Sequence, residues 1–564
     1  MPRQRQSPSP LVLTNARIYT ADANRSFAHE VEIRNGRFSR VDGIDRGGRG
    51  VDPNTLVIDL GGRLVLPGFI DAHMHPMGAA SDLFEPSLRG CTSVAECLTR
   101  ITAFLDQHPS MPFVTAWGWS AGLLDEVDLT AARLDEVVSD RPVALYDEGG
   151  HTMWVNSLAL AAADISPATS DPEGGVIERL ADGTPSGLLR EAPVMWVERA
   201  LPRRPLGQWV EALSHFQRDV AGPLGLTTVQ EAVVRPGDSL LDAYEELQAA
   251  GELGVRVCVS LWIEEDRPLA EQVEALVCER ARHLGPLVQA RTAKLFADGV
   301  VEGHTAFLMQ DYADRPGYRG KPCWEPERFI AASVAAAEAG FQLHYHAIGD
   351  AAVALSLDAI EAAKRAVNGS VERPLITHLQ LVDSMDLPRM AELGVVVLPQ
   401  PYWFVKDEMY REVQLPYLAQ ARADREYPMR SFFEQGLVVA SASDYPVVSS
   451  PDPLRGIERG VSRSDGSGGV LWPDERASVE QMIDSFTISG AYANFLEGET
   501  GSIEVGKAAD LVVVSDDILA SPEALADSRV LLTLSGGKPV YAGEPFDGLL
   551  EEAIAQQAGG EERE

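Results

Sequence analysis

Cysteine is scarce in this sequence, and basic residues are outnumbered by acidic ones. The 564 residues include five cysteines, Cys91, Cys97, Cys258, Cys278 and Cys323, with no Cys-x-x-Cys pair among them. An odd, scattered set argues against a disulfide framework and reads as reduced thiols in a cytosolic protein. Lys and Arg total 48 against 84 Asp and Glu, a formal net charge of −36. Such a surface repels nucleic acid and anionic membranes, so neither is expected as a partner. No segment reaches the roughly 20 uninterrupted apolar residues that a membrane span needs. The opening MPRQRQSPSP is basic but has no apolar stretch behind it, and reads as a disordered lead-in over residues 1–10, not a signal peptide. Apolar residues at 45% and charged residues at 23% are ordinary for a globular chain. The composition points to a soluble, cytoplasmic protein.

What is present is arranged in two textures. Residues 11–65 hold short β-like pieces (LVLTNARIYT, HEVEIRNGRFSRV, TLVIDLGG), and GSIEVGKAADLVVVS and RVLLTLSGGKPVYAG repeat that character near the far end. Residues 11–65 and 498–545 therefore predict one small β-sandwich domain assembled from both ends. Between them, over 66–497, apolar runs such as KLFADG, FQLHYHAIGD, PLITHLQ, VVVLPQP and LVVASASD end in polar residues and alternate with helical patterns. In AAVALSLDAIEAAKRAV, for example, Val353, Leu357 and Ile360 recur at helical spacing, with Asp350 as a candidate cap. Roughly eight such units close a (β/α)8, TIM-like barrel of about 250 residues, with its chemistry at the C-terminal ends of the strands. Residues 80–205, turn-rich and aromatic, break the rhythm and predict an insertion after the first barrel strand, lying over the mouth. Residues 546–564 form an acidic tail.

Polar residues gather where the strands should end. In LPGFIDAHMHP an apolar run leads into Asp71, His73 and His75, and residues two apart on a strand face the same side. Two imidazoles together make half a metal site. Later strand ends bring Lys294 in TAKLFADG, His346 in HYHAIGD, His378 in ITHLQ and Asp444 in ASASDYP. Each has an ordinary alternative. A histidine in an apolar strand can be a satisfied core residue, Lys294 can pair with a barrel acid, and Asp444 can cap the next helix.

The whole order, His-x-His, Lys, His, His, Asp, resembles the amidohydrolase superfamily of metal-dependent hydrolases. HAIGD, THLQLVD, QPYWF, SDYPV and GSIEVGKAADLVV, with RPVALYDEGGHTMWVNSLAL and a PEGG stretch in the insertion, resemble its YtcJ-like branch, which includes N-substituted formamide deformylases. The likeness runs from about Leu11 to Gly543. It implies that His73, His75 and Asp444 hold one divalent metal and that His346 and His378 hold a second. Lys294, N6-carboxylated, would bridge the two. Zn2+ is the expected ion, one or two per chain, and a homodimer is the usual assembly. The implied reaction is attack of metal-activated hydroxide on an amide or related C–N bond, an N-substituted formamide, N-acyl amide or carbamate, with Asp444 as the proton-transferring group. Two further classes stand beside it: deamination of an amino-heterocycle, and a regulatory relative that has lost its chemistry.

Aromatic side chains in the branch-like stretches are candidate walls for an apolar or aromatic small-molecule substrate. They are Trp117, Trp119, Trp154, Tyr402, Trp403 and Phe404, with His151 and His304 as polar candidates. His344 shares a strand face with His346 and reads as a support or packing residue. Asp298, in FADG, either fixes its turn or serves the site.

Overall fold

The computed structural model describes residues 10–42, 55–109, 111–120, 122–123, 129–172, 175–283, 285–369, 371–467 and 469–548. Most of the lead-in and of the acidic tail, and Glu173 and Gly174 of the PEGG stretch, lie outside these.

Eight parallel strands make the central sheet: β1 Phe69–Met74, β2 Leu226–Val234, β3 Arg256–Trp262, β4 Val288–Phe296, β5 Gln342–Ala347, β6 Leu375–His378, β7 Val396–Leu398 and β8 Val438–Val439, adjacent in chain order. Their near-continuous apolar runs suit a sheet covered on both faces. The last strand is shorter than LVVASASD suggests, yet the chain beyond it still meets β1. Ala72 N–H donates to Ser441 O at 3.3 Å, Asp444 N–H to His73 O at 2.8 Å and His75 N–H to Tyr445 O at 2.7 Å. These bonds join the two edges of the sheet, giving a TIM-barrel-like architecture.

Helices pack outside. The helix Asp350–Ala366 buries Val353, Leu357, Ile360 and Ala363 along one stripe, each large aliphatic residue contributing about 1.5–3 kcal/mol by leaving water. Asp350 is not its cap, as the sequence suggested: Gly349 holds the cap position, and Asp350 is the first helical residue, accepting from Met309 N–H at 2.7 Å.

There are two further sheets, and the second draws on both ends of the chain. One has four strands within residues 11–59, and the other joins Arg17–Tyr19, Phe27–Ala28 and Leu64–Pro67 to Leu511–Val514, Val530–Ser535 and Lys538–Ala542. One apolar cluster, with Leu13, Ile33 and Phe38 from the first and Val65, Val513 and Leu532 from the second, lies among them. Arg256 of β3 reaches this region through a buried ion pair with Asp510 at 2.9 Å.

Between β1 and β2 lies a sheet of five strands: Val114–Trp119, Val143–Asp147, Thr152–Val155, Gly175–Arg179 and Pro185–Glu191. It has its own core, which includes Trp119, Leu145 and Trp154. Charged contacts tie the insertion to the barrel mouth: Arg199 pairs with Glu264 and with Asp266 at 2.7 Å, and Glu198 with Arg235 at 2.6 Å. Among the described residues no helix is long and apolar enough to cross a membrane.

Candidate metal centre

The bonds that join the sheet edges also gather the first donors. His73 is the next-to-last residue of β1 and Asp444 follows β8, so the pairing Asp444 N–H to His73 O sets the carboxyl against both histidines. His73 Nε2 and His75 Nε2 each lie 3.2 Å from Asp444 Oδ1. Asp71 steadies the junction, its Oδ1 accepting from His73 N–H and Ser443 N–H, both at 3.1 Å. His346 and His378 follow around the barrel, their rings 4.4 Å apart, and His378 lies 5.2 Å from His73. Lys294 enters one layer deeper, paired in register with His344, its Nζ 3.4 Å from His344 Nε2. The six candidates thus converge at the C-terminal side of the sheet.

Two of the candidates hold uncommon backbone conformations. His378 (φ 74°) and Asp444 (φ 61°) both adopt the left-handed region. Non-glycine residues rarely stay there, at a cost of about 1–3 kcal/mol each, unless the surroundings hold them.

The donor chemistry fits a divalent metal. Burial, with repulsion from Lys294, pushes the pKa of His73 well below the usual range. Burial and neighbouring His378 do the same to His346, and burial takes His378 down to about 3. His73, His346 and His378 are therefore neutral imidazoles, the form that ligates a metal. Burial raises the Asp444 carboxyl, but its hydrogen bonds to His73 and His75 outweigh that and hold it well below its ordinary value, as an anion. His73, His75 and Asp444 offer ligand atoms within 4.8 Å of one another.

Among the supporting groups, Gln400, Ser260 and Gln230 are ones that no sequence spacing displays. His378 Nδ1 lies 3.1 Å from Gln400 Oε1, while Gln400 Nε2 donates to Thr377 Oγ1 and Leu398 O. Gln400 thus has only its oxygen for His378, which places the proton on Nδ1 and leaves Nε2 for a ligand. His344 spans His73 Nδ1 and Ser260 Oγ, both at 3.0 Å, and Gln230 Nε2 reaches Ser260 at 3.0 Å. His344 is therefore a supporting residue beneath the centre. Asp298 accepts Phe307, Ile348 and Gly349 N–H at 2.9–3.0 Å, and its Oδ1 lies 3.4 Å from His346 Nδ1, which has no hydrogen-bond partner among the described residues. It fixes the turn and faces the histidine at once. Asp298→Asn is expected to weaken metal retention about 10–100-fold, the range for groups behind a ligand; titration with a competing chelator measures it.

The proposed walls divide. Trp403 stacks on His378 at 5.8 Å, and Trp117 on Tyr146 at 5.0 Å. Tyr402 stands edge-on to Phe486, and Phe404 is buried against Tyr427. Trp154 and Trp119 instead fill the insertion core, Nε1 donating to Thr130 O and Leu145 O respectively, both at 2.9 Å. Trp154 is a core residue because both its ring and its N–H are satisfied there. His304 turns to Asp314 at 2.8 Å and packs on Tyr417. His151 lies at the site, 5.7 Å from His346, with Nδ1 2.8 Å from Glu191. Burial lowers the His151 pKa, but the Glu191 carboxylate outweighs it and lifts the ring to about 9.

Neutral imidazoles and a carboxylate at the strand ends of a TIM-like barrel define a class, the metal-dependent hydrolases. The chain belongs to the amidohydrolase family, whose model matches residues 56–541. It is 32% identical to the putative amidohydrolase YtcJ of Bacillus subtilis over 87% of this chain and 91% of that protein. To the N-substituted formamide deformylase of Arthrobacter pascens it is 28% identical over 93% of this chain and 97% of that one. A solved metal-dependent hydrolase from Pyrococcus horikoshii superposes with a TM-score of 0.72 at 22% identity, covering 92% of this chain and 99% of its own, a likeness of fold.

Proposed function

We propose that this protein hydrolyses a C–N bond in an N-substituted formamide, N-acyl amide or carbamate bearing an apolar or aromatic group. The observation that carries this reading is the convergence of His73, His75 and Asp444 with His346, His378 and Lys294. The name of the Arthrobacter relative supports formamides as the first compounds to try.

His73, His75 and Asp444 would hold one metal, His346 and His378 a second, with carboxylated Lys294 serving both; nitrogen and oxygen donors of this kind suit Zn2+. When bound, the metal supplies Lewis acidity, polarising a carbonyl and lowering the pKa of water towards about 7. The chain's own groups do the rest. Asp444 is anionic and takes the proton of the attacking water, then returns it to the departing nitrogen. Trp403, stacked on His378, offers an aromatic face to the substituent. Gln400 and Asp298 keep His378 and His346 aligned.

The test is incubation of metal-replete protein with a pool of N-substituted formamides, longer acyl amides, carbamates, lactones and amino-heterocycles, followed by mass spectrometry. Release of an acid and an amine is the expected result. Loss of ammonia with gain of oxygen would assign a deaminase instead, and no turnover with metal bound would contradict the reading.

A further inference from the structure

We propose that His151, carried by the insertion and not by the barrel, is a catalytic residue that hydrogen-bonds the carbonyl oxygen of the scissile amide through Nε2, with Glu191 and Thr305 as its positioning residues. The inference rests on the hydrolase reading above and adds a group that lies outside its ligand set.

Placement is the first argument. The His151 ring is 5.7 Å from that of His346 and tilted 51° to it. Its side chain keeps 18% exposure, against 4% for His346, so it is the more open of the two facing rings. Nδ1 is committed to Glu191 Oε2 at 2.8 Å. Nε2 is the ring nitrogen left for a ligand.

That orientation is firmly built. Glu191 Oε1 accepts the Thr305 hydroxyl at 2.6 Å, and Thr305 Oγ1 in turn accepts Val300 N–H at 2.9 Å. Glu191 N–H donates to His151 O at 3.0 Å, closing the pair through the main chain as well. Glu191 adopts φ 57°, ψ −120°, a conformation that non-glycine residues take only when held, and one found most often at functional sites. Space for the arrangement comes from Gly299, where a Cβ would fall 2.2 Å from Thr305 Oγ1 and 2.4 Å from Glu191 Oε1. A strained backbone, a matched glycine and a hydroxyl from a barrel loop all fix one imidazole. A packing histidine needs none of them.

The chemistry balances without consuming the residue. As the water oxygen bonds to the carbonyl carbon, the C=O π pair moves onto the carbonyl oxygen. The hydrogen bond from Nε2–H strengthens as that charge grows, and no proton leaves the ring. When the tetrahedral carbon collapses, the pair returns to C=O and the C–N pair leaves with nitrogen. That nitrogen receives the proton that Asp444 took from water, giving acid and amine. One such donor typically accounts for about 10²–10³-fold in kcat.

The experiment compares wild type, His151→Asn, Glu191→Gln and Thr305→Val at matched metal content on N-(2-phenylethyl)formamide. It adds the affinity of each for (2-phenylethyl)phosphonamidate, a tetrahedral mimic. The expected result is a kcat about 10²–10³-fold lower in His151→Asn with KM changed less than about threefold. Smaller kcat losses are expected in the other two, with analogue affinity falling in step with kcat/KM across the series. Equal kcat in His151→Asn, or a loss confined to KM, overturns the assignment, since a wall residue or a fold support gives that pattern. The same series is run on an N-acyl amide and a carbamate, and absence of wild-type turnover on all three overturns the hydrolase reading and this assignment with it. Wild-type turnover with an unaffected His151→Asn overturns this assignment alone.

Discussion

Asp444→Asn is expected to lower kcat by about 10²–10⁴-fold, the range for loss of a positioned proton-transfer group, while the fold survives. Asparagine has nearly the shape of aspartate, and the backbone bond from residue 444 N–H to His73 O at 2.8 Å is untouched. What disappears is the anion that faces His73 Nε2 and His75 Nε2 at 3.2 Å. Its carboxyl is held well below the ordinary range because the two histidine bonds outweigh burial. Aspartate is therefore ionised throughout the neutral range, and no pH adjustment should rescue the amide. Measuring kcat with metal content and the melting temperature separates the outcomes. Turnover within tenfold of wild type, with metal bound, would contradict the assignment of proton transfer to Asp444.

Replacing Lys294 with alanine should strip the centre, weakening metal binding by at least about 100-fold, the upper end of what a merely supporting group costs. The physical basis is the lysine's surroundings. Burial drags its ammonium down to about 7, against the opposing pull of Asp444. Above that pH the side chain is a neutral amine, able to combine with carbon dioxide and become an anionic ligand. Below it, the ammonium repels a dication, so metal retention in the wild type should fall as pH drops through about 7. Carbon dioxide depletion should weaken retention at pH 8, and bicarbonate should restore it. In Lys294→Ala, added acetate or propionate should recover part of the binding by standing in for the carbamate. If Lys294→Ala binds metal like the wild type, the lysine is a barrel packing residue and not a ligand.

The convergence of the strand-end residues was more legible in the sequence than the groups packed behind them. His73, His75, His346, His378 and Asp444 were legible because strand ends in a parallel barrel converge, so a polar residue after each apolar run predicts a common meeting point. The two-residue period also placed His344 on the inward face. Gln400, Ser260, Gln230 and Glu191 were not legible. Their roles depend on which atom meets which across strands far apart in sequence, such as Gln400 Oε1 against His378 Nδ1. Aromatic residues misled for a related reason. Trp154 and Trp403 carry the same chemistry, and only packing decides that the first fills the insertion core while the second stacks on His378. The Asp350 cap failed by one position, because Gly349 takes the non-helical turn and leaves the aspartate inside the first turn.

If metal binds where the strand ends converge, anomalous diffraction at the metal absorption edge will locate it there. Crystals of metal-replete protein should show one or two peaks among His73, His75, Asp444, His346, His378 and Lys294. Full metal content in solution with peaks elsewhere, or none at this position, would show that these residues are not the metal's ligands.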